Sequence, residues 1–151
     1  MSLDSPHDLL AAERMAHPLF RAVSASFNHT TSGSWVTVTG WTVSEDTHTQ
    51  WTSASSIITF KVPGLYLLNA NIQFPANATG QRGLRFLING TTSIGSVLVN
   101  TASSGTTNLI NTTLRRVVSG NTIACQAFQD STGTLSGCVT IWQTIHLLKY
   151  A

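Results

Sequence analysis

The alternation of apolar and polar positions is clearest over residues 57–74, where two apolar runs flank the pair Pro63–Gly64. In the second run every other residue is apolar, and this set consists of Tyr66, Leu68, Ala70, Ile72 and Phe74. Polar Asn69, Asn71 and Gln73 occupy intervening positions. A period of two is typical of a β-strand that is buried on one face. Proline fixes φ and glycine permits a left-handed φ, so the pair predicts a tight reversal between two strands.

Further short strands separated by turns are predicted from residue 20 onwards. Their ranges are 20–27, 35–43, 84–88, 94–100, 108–118, 122–129 and 139–150. Within 35–43 one face is expected to hold Trp35, Thr37, Thr39, Trp41 and Val43. Asn89–Gly90 predicts a hairpin turn. Short strands at this spacing indicate an all-β jelly-roll sandwich of about eight to ten strands.

Two of these strands are apolar on both faces. They are 108–118 and the long closing strand 139–150. A strand of an antiparallel sandwich normally has one polar face, because only one face meets the core. We therefore expect these strands to pack against their own core on one side and against a partner on the other.

Residues 1–20 differ in kind from the rest, and we assign them as an N-terminal arm beside a head domain of residues 21–151. Ser5–Pro6 is typical of a helix start, and His17–Pro18 of a helix end. The arm's apolar docking residues are predicted to be Leu9, Leu10, Met15, Leu19 and Phe20. About two turns of helix are marginal alone in water. The arm is thus either a frayed tail or strap on its own domain, or an anchor to a larger body.

Three segments carry a family resemblance. The central stretch contains Phe60, Val62, Pro63, Gly64 and Tyr66, similar to the Phe-x-Val-Pro-x-x-Gly-x-Tyr pattern of C1q/TNF-like jelly rolls. Residues 84–92 resemble that family's strand ending in an Asn-Gly turn, and 114–128 its Leu-x-x-Gly-Asp-x-Val segment. The sequence departs from the pattern at Asn121, where aspartate is usual, and lacks the usual Phe-Ser-Gly near the end.

The resemblance implies a jelly roll that assembles as a homotrimer about a threefold axis, with aromatic residues facing the neighbours. The trimer-interface residues that it indicates here are Tyr66, Leu114, Arg116, Trp142, His146 and Tyr150. For His146 a hydrogen-bonded position within the sheet is the alternative. The family includes signalling ligands, bacterial proteins and phage virion proteins, and this chain is most like the phage versions.

Composition limits the kinds of binding partner that we expect. Only 9% of residues are charged, and the formal net charge is +2. A surface so poor in charge suits a subunit whose sides are covered by neighbours. The basic residues are scattered, with Arg115–Arg116 as the only pair of note, so we expect no nucleic-acid partner. We see no signal peptide and no run long enough to span a bilayer, and therefore expect no membrane insertion.

Candidate chemistry is sparse. The chain holds six acidic residues and lacks nucleophile-elbow, phosphate-loop and Cys-x-x-Cys motifs. Glu45, Asp46 and His48 form one acidic loop that could hold a cation, but hard cations and structural zinc need more ligands than this loop offers. A solvated loop is the favoured interpretation. We expect no catalytic residues, no metal, no cofactor and no enzymatic activity.

Tryptophans and cysteines each leave two interpretations. Trp35, Trp41 and Trp51 are candidates for a surface recognition site, since an exposed indole stacks on sugar faces and donates a directed hydrogen bond. Core or interface packing is the favoured alternative. Cys125 and Cys138 could form a disulfide, but two buried free thiols are preferred.

Two classes of function follow. In the first the chain is a non-enzymatic phage virion structural protein, a trimeric capsid decoration or minor tail component. Its arm docks on capsid or tail proteins, and its head faces outward on the virion surface. In the second the head is a receptor-binding or adhesin-like module that binds host-surface glycan or protein. Exposed tryptophans would favour the second class, and a bare polar tip the first.

Overall fold

The computed structural model describes residues 18–150 apart from 31, 53, 54 and 102–104, and it leaves out the side chains of 25, 26 and 141–150. The described chain contains ten β-strands and no helix. Their bounds are β1 Leu19–His29, β2 Ser34–Thr37, β3 Thr42–Asp46, β4 Ile57–Thr59, β5 Gly64–Phe74, β6 Gln81–Ile88, β7 Thr92–Asn100, β8 Thr107–Val117, β9 Thr122–Gln129 and β10 Leu135–Tyr150.

The strands form two antiparallel sheets that face each other. Sheet A has the order β3-β1-β10-β5-β8, and sheet B has the order β2-β9-β6-β7 with β4 also paired to β9. Side chains from the inner faces of both sheets form one apolar core. The predicted all-β sandwich is confirmed, and its strand number lies within the predicted range.

The alternation predicted for β5 is confirmed residue by residue. Tyr66, Leu68, Ala70, Ile72 and Phe74 are all buried, while the residues between them are at least partly exposed. The prediction of a tight reversal at the Pro–Gly pair is wrong in one respect. β4 pairs with β9 in sheet B and β5 pairs with β10 in sheet A, so the connection crosses between sheets. A sandwich core needs such crossings, which local sequence does not distinguish from hairpins.

Residues 35–43 were predicted as one strand, and this is wrong. β2 belongs to sheet B and β3 to sheet A, with the chain crossing the edge of the sandwich between them. Gly40 has a φ of 73°, a left-handed conformation that interrupts an extended strand. Val38 is fully buried at this crossing. Trp35 and Trp41 consequently lie in different surroundings rather than on a shared face.

The first strand begins before residue 21, the predicted start of the head domain. β1 begins at Leu19, whose backbone N–H donates to Oγ1 of Thr47 over 2.9 Å. Phe20 is buried in the core. Leu19 and Phe20 therefore belong to the sandwich, and their assignment to a docking arm is wrong. Leu9, Leu10 and Met15 lie outside the described residues.

Local features of the chain agree with their predictions. Asn89 and Gly90 have positive φ values of 51° and 71° and join β6 to β7 as a hairpin. Cys125 and Cys138 are both buried and free. In the described part of the chain, no helix is long and apolar enough to cross a membrane.

Candidate functional site

The outer face of sheet A carries an exposed apolar row along β8. Ile110 is 66% exposed, Leu114 55% and Val118, just after the strand, 61%. On the opposite face of the same strand Leu109, Asn111 and Val117 are buried, facing the core. The prediction that this strand carries apolar residues on both faces is therefore confirmed. β8 is an edge strand, so the row lies at the rim of its sheet.

Neighbouring strands extend this row into a surface. Leu67 of β5 is paired with Leu114, and Leu65 with Arg116. Paired residues of antiparallel strands share a face, so the two side chains of each pair lie side by side. Further along, Asn69 donates through Nδ2 to Oγ1 of Thr112 over 2.6 Å. We call this the β5–β8 surface, made of Leu65, Leu67, Asn69, Asn71, Ile110, Thr112, Leu114, Arg116 and Val118.

A shallow depression of about 310 Å³ lies at the far end of this surface. Its lining includes Asn71, Gln73, Asn108, Ile110 and Val139. An apolar side chain of a partner could enter a depression of this size. The β5–β8 surface is therefore concave at one end and apolar along its rim.

The residues predicted for a trimer interface fall into three groups. Leu114 and Arg116 are exposed and lie on the β5–β8 surface. Tyr66 is fully buried in the core of its own sandwich, and its hydroxyl donates to the carbonyl oxygen of Val62 over 2.8 Å. Its assignment to an interface is corrected accordingly, because residues of β5 alternate between the core and the outer face.

For the remaining three residues only the backbone is described. His146 is paired with Leu67 on one side and with Leu19 on the other. Leu67 is in turn paired with Leu114, so His146 occupies the same row of the sheet. Trp142 is paired with Ala70 and Tyr150 with Gly64. Their role in an interface stays a prediction.

Of the three candidate recognition tryptophans, two serve their own fold. Trp41 is buried, and its indole Nε1 donates to the carbonyl oxygen of Val38 over 3.0 Å. Trp51 is partly buried, and its Nε1 donates to the carbonyl oxygen of Ser55 over 2.8 Å. For Trp41 the burial corrects the prediction of a surface role, and Trp51 is engaged by its own loop.

Trp35 is different, because it lies half-buried on the outer face of sheet B. Its ring packs against Phe128 with the centroids 5.3 Å apart. The guanidinium carbon of Arg85 lies 4.3 Å from the centroid of the Trp35 ring, a cation–π distance. The prediction of surface exposure therefore holds in part for Trp35, and sequence reasoning missed its partner Arg85.

The acidic loop is organised by a single carboxylate. Asp46 accepts hydrogen bonds from the backbone N–H groups of Gln50 and Trp51, each over 2.9 Å. Within the described residues, no group of three or more His, Cys, Asp or Glu side chains is placed to hold a metal ion. The carboxylate of Asp46 thus shapes the loop that leads into β4.

The sequence did not predict a buried polar cluster around Arg82, which lies at the start of β6. Arg82 is fully buried, and its guanidinium donates to the carbonyl oxygens of Asn77, Thr79 and Gln81 over 2.8–3.3 Å. Burial lowers the pKa of Arg82, and the nearby carboxylate of Asp130 opposes that effect. Arg82 holds the loop before β6 in place rather than facing solvent. Sequence alone offered no signal for it beyond its place in an apolar strand.

Solved structures share this architecture at low sequence identity. The globular domain of zebrafish complement 1qA protein aligns with a TM-score of 0.66 and 15% identity, over 89% of this chain and 99% of that one. Murine APRIL at pH 8.0 aligns with a TM-score of 0.60 and 13% identity, over 83% and 98%. The PRD1 vertex protein P5 aligns with a TM-score of 0.63 and 14% identity, over 85% and 72%.

The fold is therefore a C1q/TNF-like jelly roll, and its neighbours include a phage vertex protein. The resemblance seen in the sequence is confirmed at this level. No protein-family model and no curated protein sequence matches the chain. Identities of 13–15% carry the fold and leave function to be argued from the surface of this molecule.

Proposed function

We propose that the protein is a non-enzymatic phage virion structural protein, a homotrimeric capsid decoration or minor tail component. The observation that carries this proposal is the β5–β8 surface, whose rim exposes Ile110, Leu114 and Val118. Three large aliphatic side chains in one exposed row are unusual on a monomer and typical of an interface between subunits. The structural likeness to the PRD1 vertex protein P5 supports a place on a virion.

Two further copies of the same chain are the proposed occupants of the β5–β8 surface. Its charged residue, Arg116, lies at one end beside Leu65, and the middle of the surface is apolar or amide-bearing. Such a surface suits an obligate contact with a chain that is itself poor in charge. The backbone of His146 and the edge strand β8 lie in the same sheet, so this packing would place them near the threefold axis.

The direction of the head follows from where the chain enters and leaves the sandwich. Leu19 is paired with His146, and Gly64 with Tyr150, so β1 begins and β10 finishes at the same end of sheet A. We place the virion on that side, where residues 1–17 join the head. The opposite end, with the loops before β6 and after β9, would then face outward.

Co-sedimentation with capsids stripped of accessory proteins tests the docking. We expect the full chain to pellet in a fixed ratio to capsid subunits, and a variant lacking residues 1–17 to remain in the supernatant. Deletion should stop at residue 17, because Leu19 and Phe20 belong to β1. Leu9→Asp with Leu10→Asp is a milder variant that should also abolish pelleting. Equal pelleting of all three proteins would contradict docking through the arm.

A recognition module is the second candidate function. One observation favours it, the half-buried Trp35 with Arg85 over its ring on the outer face of sheet B. This face is turned away from the β5–β8 surface. A trimer assembled through sheet A would therefore leave it open to a host-surface ligand.

A further inference from the structure

The outer face of sheet B is organised around Trp35 in a way that core packing does not require. Trp35 and Phe128 are paired across β2 and β9, and Gly83 and Leu98 continue the same row across β6 and β7. The next row holds Thr37, Gln126 and Arg85. We call these six side chains and Gly83 the Trp35–Arg85 patch. It spans β2, β9, β6 and β7 of sheet B and lies outside the core.

Gly83 leaves room on the sheet for the side chains of Trp35 and Leu98. A Cβ at this position would come within 2.7 Å of Cη2 of Trp35 and within 2.9 Å of Cδ1 of Leu98. Real Cβ atoms do not approach other atoms so closely, so any larger residue would lift the indole. At Gly83 the patch therefore has only backbone beneath the side chains of Trp35 and Leu98.

A relay of hydrogen bonds holds Arg85 in position. Its Nε donates to Oε1 of Gln126 over 2.8 Å, and Nε2 of Gln126 donates to Oγ1 of Thr37 over 3.2 Å. The guanidinium is thereby fixed over the Trp35 ring at 4.3 Å. A side chain that is fixed before a ligand arrives loses less conformational entropy when it binds.

The fixed groups are donors without acceptors. Across the described residues, neither the Nη nitrogens of Arg85 nor the indole N–H of Trp35 has a hydrogen-bond partner within the chain. Of the described acidic residues, Glu45 and Asp46 lie in β3 of sheet A, and the carboxylate of Asp130 accepts a hydrogen bond from the backbone N–H of Gln81. Partial burial also lowers the pKa of Arg85 through desolvation. A partly desolvated guanidinium whose Nη groups have no partner among the described residues favours an anionic ligand.

We propose that the Trp35–Arg85 patch binds a carboxylate-bearing saccharide. The two Nη groups of Arg85 would take the carboxylate in a bidentate pair, a geometry that guanidinium matches and ammonium does not. The indole N–H of Trp35 donates to a hydroxyl or ring oxygen. The partly exposed rings of Trp35 and Phe128 pack against the apolar C–H face of the sugar.

A saccharide fits the patch better than an acidic peptide because apolar and polar rows of side chains alternate across the patch. A strip of rings is bordered by amide and hydroxyl groups, those of Gln126 and Thr37 on one side and Gln81 and Asn100 on the other. A sugar presents apolar faces bordered by hydroxyl groups in the same manner. This inference supplies the ligand class for the second candidate function and rests on it. It is independent of trimer formation and of docking by the arm.

Binding is tested on the full chain by following the tryptophan indole signals in ¹H–¹⁵N NMR spectra, with Trp35→Phe identifying the signal of Trp35. The acidic probes are sialyllactose and trigalacturonate, and the neutral counterparts are lactose and the methyl ester of trigalacturonate. We expect the acidic saccharides, and not the neutral ones, to shift the Trp35 signal. Arg85→Gln should weaken binding about tenfold or more, as expected for loss of a charged hydrogen-bonded pair.

Two matched variants separate the patch from general effects. Lys61→Gln removes the same charge at an exposed position elsewhere and should bind like the parent. Gly83→Ala should weaken binding, while Gly133→Ala, with no atom within 4 Å of the new Cβ, should not. All variants should keep the parent's oligomeric mass and capsid pelleting.

The proposal is overturned if neither acidic saccharide shifts the Trp35 signal, or if the neutral counterparts shift it equally. Unchanged affinity in Arg85→Gln also overturns it. If triglutamate shifts the signal while both saccharides are silent, the patch is a protein-binding surface instead. Failure of capsid docking with intact saccharide binding would leave this inference standing and remove only the first candidate function.

Discussion

Nε2 of His29 donates a hydrogen bond over 3.0 Å to the carbonyl oxygen of Ala127 and so ties β1 of sheet A to β9 of sheet B. Because a carbonyl only accepts, Nε2 carries a proton, and in the neutral ring Nδ1 is the unprotonated nitrogen. Nδ1 is buried and has no partner within the described residues. The imidazole is thus held neutral between the two sheets.

The neutral state of His29 predicts a loss of stability in acid. Desolvation by burial, aided by the nearby cation of Arg82, lowers the pKa of His29 below 6.5. The unfolded chain therefore takes up this proton first as the pH falls. Stability should be full above about pH 6.5 and decline below it by up to about 1.4 kcal/mol per pH unit, until the pH reaches the lowered pKa.

Urea unfolding between about pH 5 and about pH 8 measures this decline in the range where histidine titrates. His29→Gln should flatten the pH dependence, even if the variant is less stable throughout. His48→Gln, in the loop after β3, is the matched control for removal of an imidazole. If His29→Gln keeps the slope of the parent, groups other than His29 cause the loss of stability in acid, and this prediction is contradicted.

Gly80 should tolerate no side chain. It has a φ of 77°, and a Cβ would meet Oδ1 of Asp130 and lie 2.7 Å from the carbonyl oxygen of Asp130. Gly90 has a similar φ of 71° but no atom within 4 Å of the new Cβ. Gly90→Ala should cost about 1 kcal/mol for the left-handed backbone. Gly80→Ala should cost about 1–3 kcal/mol more for the clash, measured by urea unfolding. Equal costs would contradict the close contact.

A substitution at Tyr66 tests whether this residue belongs to the core or to an interface. Tyr66→Phe removes the hydroxyl that donates to Val62, so the free energy of unfolding should fall by about 1 kcal/mol. The oligomeric mass should stay unchanged, because the ring is buried within its own subunit. If this variant dissociates while its fold is unchanged, Tyr66 contributes to the interface, which contradicts its burial within one subunit.

The two thiols should be unreactive in the native protein. Burial raises the pKa of Cys138 to about 11 and that of Cys125 further still, so almost no thiolate is present near neutral pH. A thiol reagent such as dithionitrobenzoate should label both cysteines in urea and neither under native conditions at about pH 8, below the usual thiol pKa. Rapid native labelling of one thiol would show that it is accessible.

Local sequence was sufficient where structure is local. The alternation from Tyr66 to Phe74 and the Asn89–Gly90 hairpin follow from side-chain period and turn chemistry alone. The crossing at residues 38–41 was missed, because it depends on Val38 being pulled into the core and bonding to Cys125 of β9. Alternation continues through such a crossing in the sequence while the chain changes sheets.

The surfaces were predicted less completely than the fold, again for a physical reason. Leu114 and Arg116 are exposed on β8, the strand whose two apolar faces are visible in the sequence, and their place in an interface stays a prediction. Whether a tryptophan is exposed depends on partners distant in sequence. Trp35 is held by Arg85 and Phe128, and Trp41 by its place between the sheets. Neither arrangement has a signature in neighbouring residues.

The assembly through the β5–β8 surface is tested most directly by mass in solution, measured by light scattering on a sizing column. We expect the parent at three times 16.2 kDa, and Leu114→Glu at 16.2 kDa with an unchanged circular dichroism spectrum. Leu98→Glu is the matched control, since Leu98 is 48% exposed on the other sheet and should leave the trimer intact. A monomeric parent, or a Leu114→Glu variant that remains trimeric, would contradict the proposed packing.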